Sequence, residues 1–233
     1  MPSVAQCLDD VRHRIATAAR AVGRDPGTVK LIAVSKTFPV EAIREAYAAG
    51  QRDFGENRVQ EGLEKIGQLE DLQMSWHLLG HLQTNKVRKA LPGFGTIHSV
   101  DSVTLLQKLD EVAQELGASA EALIQVDLAG EATKYGAPPE LVPQIFEAAD
   151  RCQAVRVVGL MLLPPAPDTP EDARPWFTRL RQLRDQWRDG GIPSGMLREL
   201  SMGMSGDYEV AVQEGATMVR VGTAIFGRRH VQL

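Results

Sequence analysis

The chain has 233 residues, 43% of them hydrophobic and 24% charged, which is enough apolar material for one large α/β domain or two small ones. A formal net charge of -4, with an isoelectric point near 5.8, argues against a general polyanion binder, and the basic clusters NKVRK (85–89) and GRRH (227–230) read as solvated faces or helix ends, so no nucleic-acid module is expected. Charges interrupt the stretch MPSVAQCLDDVRHRI, no membrane-spanning run is seen, and Cys7 and Cys152 lack CxxC spacing; the reading is a soluble, cytoplasmic protein without a disulfide framework.

In the first segment Val4, Cys7, Leu8, Val11, Ile15, Ala18, Ala19 and Val22 recur every three or four positions, which predicts an amphipathic helix ended near Gly23. LIAV (31–34) is a continuous apolar run of the kind buried on both faces of a parallel sheet. Helical spacing over 39–50 is followed by RDFGEN (52–57) as a strand, a helix from about Arg58 to Leu69, and SWHLLG (75–80) as the next strand. A helix through 84–91 leads to the strand TIHSV (96–100), and 102–117 forms a long helix ending on Gly117. The strand ALIQVDL (122–128), a helix after PPEL (138–141), the strand VRVVGLMLL (155–163) and a helix from about Glu171 to Arg188 follow. ELSMGM (199–204), a short helix over 209–215 and MVRVGTAIFG (218–227) complete the series.

Strands that alternate with helices must run parallel, because each crossover returns the chain to the same end of the sheet. Eight such units predict an α/β fold of the (β/α)8 TIM-barrel type, a single domain over residues 1–233 with an extra N-terminal helix. An open doubly wound sheet is the competing arrangement. PPAPDTPED (164–172) reads as a surface loop and not as a linker.

In such a barrel ligand chemistry gathers at the carboxyl ends of the strands. Lys36 stands there after the first strand: it is either a solvated strand end or an amine whose pKa burial lowers from about 10.4, ready to attack a carbonyl. Later strand ends supply Glu56, Asn57, His77, His81, His98, Asp101, Asp127 and Met161. His77 and His81 have a metal-ligand spacing only within a helix, and WHLLG reads as strand and turn, so no metal site is expected. Asn57 could sit beside a ring or cap the following helix. LSMGMSGDYE (200–209) and RVGTAIFG (220–227) put Gly203, Gly206 and Gly222, with the hydroxyls of Ser201, Ser205 and Thr223, after the seventh and eighth strands, where phosphate sites of these barrels are often built. Simple turns would also explain the glycines. Arg220, inside the last apolar run, is either half of a buried ion pair or a cation facing a ligand heteroatom.

Taken together, AVSKTFPVEAIREAYAAGQRDFGENRVQE (33–61), WHLLGHLQTNK (76–86), HSVDS (98–102), GLMLLP (159–164) and LSMGMSGDYEVAVQEGATMVRVGTAIFG (200–227) resemble the YggS/PROSC family of pyridoxal 5′-phosphate homeostasis proteins. The resemblance implies a barrel like the N-terminal domain of alanine racemase, with pyridoxal 5′-phosphate as cofactor, bound as an internal aldimine on Lys36. It implies phosphate contacts from Ser201, Gly222 and Thr223, with Ser205 as a further contact, Arg220 at the pyridine nitrogen and Asn57 near the ring. Gly206 departs from the more polar residue expected there, and the tail RRHVQL is atypical. The implied function is intracellular buffering of the cofactor or its delivery to apoenzymes, by a monomer with no assigned catalytic residue. A weak racemase is the alternative, against which stands the lack of a second domain able to carry Tyr47, Tyr135 or Tyr208 as a second base; a Schiff-base aldolase would have no need of Arg220.

Overall fold

A computed structural model describes residues 2–130 and 135–227. Its centre is a closed barrel of eight parallel strands in sequential order: β1 (Lys30–Val34), β2 (Asp53–Glu56), β3 (Ser75–Leu78), β4 (Thr96–Val100), β5 (Ala120–Val126), β6 (Val155–Leu162), β7 (Glu199–Ser201) and β8 (Met218–Val221). Closure comes from the β1–β8 seam, where Lys30 pairs with Met218 and Ile32 with Arg220. The competing open sheet is thereby excluded. The helices around the barrel are α1 (Val4–Ala21), α2 (Val40–Ala48), α3 (Val59–Gln68), α4 (Val87–Ala90), α5 (Val103–Leu116), α6 (Val142–Ala149), α7 (Arg174–Asp189), α8 (Tyr208–Gln213) and α9 (Thr223–Phe226).

The continuous apolar strands follow from burial on both faces. Leu31, Ala33, Phe54, Trp76 and Leu78 pack outward into the main core with the helices, whereas Ile32, Leu123, Val158, Met161 and Met218 form a smaller cluster inside the barrel. Gly159 lets β6 and β7 approach: a Cβ there would lie 2.0 Å from the Glu199 carbonyl oxygen.

α1 covers the seam. Its Leu8, Val11, Ile15, Ala18 and Ala19 are buried, and each large apolar side chain so placed contributes roughly 1.5–3 kcal/mol. Arg14 reaches Glu209 at 2.5 Å, Arg24 donates to the Val212 and Ala216 carbonyls, and on the other flank Arg12 donates to the Ala49 carbonyl. The helix begins at a capping box of Ser3 and Gln6 and gives way to Gly23 at φ 72°.

Differences from the expected boundaries are local. The segment 84–91 divides into a 3-10 turn and the four-residue α4. MVRVGTAIFG divides too, into β8 and α9; a short apolar run does not separate strand from helix by periodicity. Among the described residues no helix is long and apolar enough to cross a membrane.

Candidate functional site

At the carboxyl ends of the strands lies a cavity of about 420 Å³, within the range of small-molecule sites. Lys36, Asn57, Ser205, Gly206, Arg220, Gly222 and Thr223 give it polar character, and Val34, Leu79, Leu163 and Met204 line the remainder. The chain thus brings the ends of β1, β2, β7 and β8 to one place. A second cavity, of about 580 Å³, opens at the opposite mouth against Lys30, Asp53 and His77.

Lys36 follows β1 in a turn held from both sides. Ser35 Oγ donates to Glu56 Oε1 at 2.7 Å. The ammonium of Lys65, on α3, donates to the Ser35 carbonyl at 2.8 Å, to Glu56 at 2.9 Å and to Glu61 at 2.8 Å. Glu61 in turn accepts from the Thr37 N–H at 2.5 Å. Thr37 has a φ of 68°, uncommon for a β-branched residue, so the carboxylate of Glu61 clamps a strained residue next to the lysine. Burial raises the Glu56 carboxyl above its usual range, against the opposing pull of Lys65 and Ser35. Glu56 therefore faces the helix layer and serves the turn. Lys65 and Glu61 were not legible as site residues; their i,i+4 spacing on α3 is the one signal the sequence offers.

Arg220 is 3% exposed. Nη1 donates to Ser201 Oγ at 2.6 Å and Nη2 to the Leu162 carbonyl at 2.8 Å, and among the described residues it forms no ion pair. Of the two readings open in the sequence, the buried ion pair is therefore set aside. Burial lowers its pKa to about 10, which leaves it a cation at neutral pH. Ser201 stands apart from the other expected contacts: it is fully buried and does not line the cavity. Its hydroxyl is taken up between Arg220 and His98 Nδ1, the latter at 2.9 Å. The structure thus gives its hydroxyl to the arginine and the histidine, where a phosphate contact was expected.

The three glycines have separate reasons. Gly203, at φ 93°, packs against α8, where a Cβ would come within 2.5 Å of Ala211 Cβ; it is a packing and turn residue. Gly222 lies over Val34, whose carbonyl oxygen would be 3.1 Å from an added Cβ. Gly206 has open space around the same position, so a larger polar residue would fit and the departure at this site has no steric cause. Ser205 Oγ accepts from the N–H groups of Gly222 at 3.1 Å and Ala224 at 3.3 Å. Two backbone N–H groups thus converge on one oxygen at the mouth of β8, with Thr223 beside them.

Asn57 lines the cavity, and the N-cap of α3 is Arg58, so the capping reading of Asn57 does not hold. Its backbone is fixed by Gly80, whose added Cβ would fall 2.0 Å from the Asn57 carbonyl oxygen. His77 lies in β3, His81 in the loop beyond it, 3.5 Å from Asp101 and stacked on Tyr135. Asp127 accepts from the Ala129 and Gly130 N–H groups in a local turn, and Met161 belongs to the inner core. Burial raises the Cys152 thiol to about 11. Among the described residues no group of three or more His, Cys, Asp or Glu side chains is arranged to hold a metal ion.

The family model of the alanine racemase N-terminal domain matches residues 7–230. The pyridoxal phosphate homeostasis protein of Aquifex aeolicus is 44% identical over 223 residues, covering 95% of this chain and 96% of the relative. The chain belongs to this family. The pyridoxal phosphate homeostasis protein of Escherichia coli K12 is 38% identical, with 98% of each chain covered. Among solved structures, PipY of Synechococcus elongatus PCC7942 with PLP bound is 45% identical, with a TM-score of 0.83, covering 93% of this chain and 100% of PipY. Alanine racemase of Clostridium difficile 630 shares the fold at a TM-score of 0.71 and 18% identity, over 96% of this chain and 58% of the racemase. In this homeostasis-protein family the barrel described above is the matched unit.

Proposed function

We propose that this chain binds pyridoxal 5′-phosphate through Lys36 and holds it for buffering or delivery to apoenzymes, without robust turnover of its own. The observation that carries the reading is the single cavity in which Lys36, the paired N–H groups at Ser205 and the cation Arg220 meet. The residues fit the group: an amine for an aldehyde, N–H groups already converging on an oxygen, and a buried guanidinium for a ring nitrogen. PipY, solved with PLP bound, and the names of the relatives support it.

When bound, pyridoxal phosphate supplies an aldehyde that condenses with a primary amine and releases water. Lys36 presents that amine from a clamped turn. Ser205, Gly222 and Thr223 receive the phosphate, with Ser201 supporting Arg220, and Asn57 flanks the ring. Arg220 can only donate hydrogen bonds, so it keeps a facing ring nitrogen unprotonated and the ring a weak electron sink. Among the described residues that line the cavity, the ionisable side chains are Lys36 and Arg220, and a permanently charged guanidinium is a poor acid or base. Both features suit holding over turnover.

Borohydride treatment of protein incubated with pyridoxal phosphate is expected to fix the cofactor on the peptide containing Lys36. An undiminished covalent adduct in Lys36→Ala would overturn the assignment. Incubation with single-enantiomer amino acids in deuterated water separates holding from turnover: the expectation is slow α-proton exchange, and efficient exchange would make the chain an enzyme. Transfer to an apoenzyme in the presence of a trap for free aldehyde tests delivery, and transfer abolished by the trap would argue for simple release.

A further inference from the structure

A continuous hydrogen-bonded chain crosses the barrel interior from one mouth to the other. It starts at Asp53, at the amino end of β2, whose Oδ1 lies 3.1 Å from His77 Nε2 and 3.4 Å from Lys30 Nζ. His77 Nδ1 is 3.0 Å from His98 Nε2, His98 Nδ1 is 2.9 Å from Ser201 Oγ, and Ser201 Oγ is 2.6 Å from Arg220 Nη1. His77, His98, Ser201 and Arg220 are each 3% exposed or less. Asp53 lines the far cavity and Arg220 the site cavity.

The two ends dictate the direction of every bond. A carboxylate only accepts, so His77 presents Nε2–H to Asp53. A neutral His77 then has only its Nδ1 lone pair for His98, and His98 must donate from Nε2. His98 Nδ1 is thereby an acceptor and takes the Ser201 hydroxyl hydrogen. Ser201 Oγ, its own proton given away, accepts from Arg220, which can only donate. All donors point the same way, from the guanidinium to the carboxylate. Chains of this kind polarise each member in turn, so Ser201 Oγ, whose hydrogen is given to His98, is a stronger acceptor for Arg220 than an isolated hydroxyl. A proton added at His77 would turn His98 round, leaving Ser201 facing two donors with its own hydrogen deprived of the imidazole. Burial, with further contributions from His77 and Arg220, holds His98 well below the usual histidine range and so favours the neutral form.

We propose that Asp53, His77, His98 and Ser201 are positioning residues for Arg220, a one-way hydrogen-bonded chain that fixes the guanidinium at the site and couples it to a carboxylate at the opposite mouth of the barrel. None of the first three lines the site cavity, so their effect on a ligand there is exerted through the arginine. The consequence for the cofactor rests on the function proposed above; the chain itself does not.

The first test uses cofactor-free protein carrying ¹⁵N-labelled histidine. Long-range proton–nitrogen spectra at pH 7 are expected to show His77 and His98 both as neutral Nε2–H tautomers. A Nδ1–H tautomer or an imidazolium at either ring would overturn the chain. The second uses Asp53→Asn, at the partly exposed end. The carboxamide either accepts or donates, so the direction is no longer imposed, and the His98 ring shifts are expected to move although Asp53 does not touch that ring. Pyridoxal phosphate is then titrated by absorbance, with an expected weakening of roughly threefold to tenfold and a displaced absorption maximum. Ser201→Ala should reproduce the displaced maximum, and Ser201→Thr, which keeps the hydroxyl, should restore it. Unmoved His98 shifts in Asp53→Asn would overturn the coupling. Failure of the unsubstituted protein to bind the cofactor would instead sink the proposed function, and the nitrogen spectra would still decide the chain.

Discussion

Thr37, in the left-handed region beside Lys36, is held by Glu61, and Glu61 by Lys65. Lys65 is 7% exposed and Glu56 fully buried, so removing the ammonium leaves a buried carboxylate without its cation. Lys65→Met is expected to cost about 3–5 kcal/mol in urea unfolding. At this scale the sequence was legible where chemistry demands a residue type at a strand end: Lys36, Ser205 and Arg220 could be picked out for that reason. Lys65 and Glu61 were not, and Glu56 was picked out only as a strand end, because their roles depend on which face of a helix meets which strand, and that register is a tertiary fact. Ser201 shows the converse: its position in the chain suggested an anion contact, yet its side chain points into the barrel, where an arginine and a histidine claim it.

Individual elements are secured by a few polar and steric devices. Asp110 on α5 accepts from the N–H groups of Gln153, Ala154 and Val155 at 2.7–2.9 Å, at the start of β6. Burial works to raise its pKa, and the three amides with Gln114 outweigh burial and hold it below the ordinary 3.8. A depressed folded pKa means stability that is present above 3.8 and lost as pH falls through the folded value. Asp110→Asn is therefore expected to cost about 2 kcal/mol at neutral pH, a gap that closes progressively below about pH 4 in urea titrations. Gly80 is the steric counterpart: Gly80→Ala drives a Cβ into the Asn57 carbonyl, and a backbone collision belongs at the upper end of the roughly 1–3 kcal/mol of overpacking. Thermal unfolding measures the loss. Strand and helix alternation was legible because both periods are local. The split of 218–227 into β8 and α9 was not, since Gly222 and its apolar neighbours fit either state.

For the whole molecule, α1 does the work of an outer helix at the seam, where α9, only Thr223–Phe226, is too short to cover it. Leu8→Ala at its buried face is expected to cost about 2–5 kcal/mol, and deletion of residues 1–22 to abolish the cooperative unfolding transition seen by circular dichroism. The barrel could be expected from strand count alone, yet nothing in the periodicity of α1 says which elements it packs on. The partners of Arg14 on α1 and of Arg24 just beyond it, Glu209, Val212 and Ala216, lie almost two hundred positions downstream. Of the elements α1 packs on, α2 lies close by in sequence, whereas α8 and α9 are distant, so the cover over the seam depends on contacts of high sequence separation. The ring closes by pairing β1 with β8, a long-range contact whose loop-closure entropy makes sealing the seam a slow step of folding.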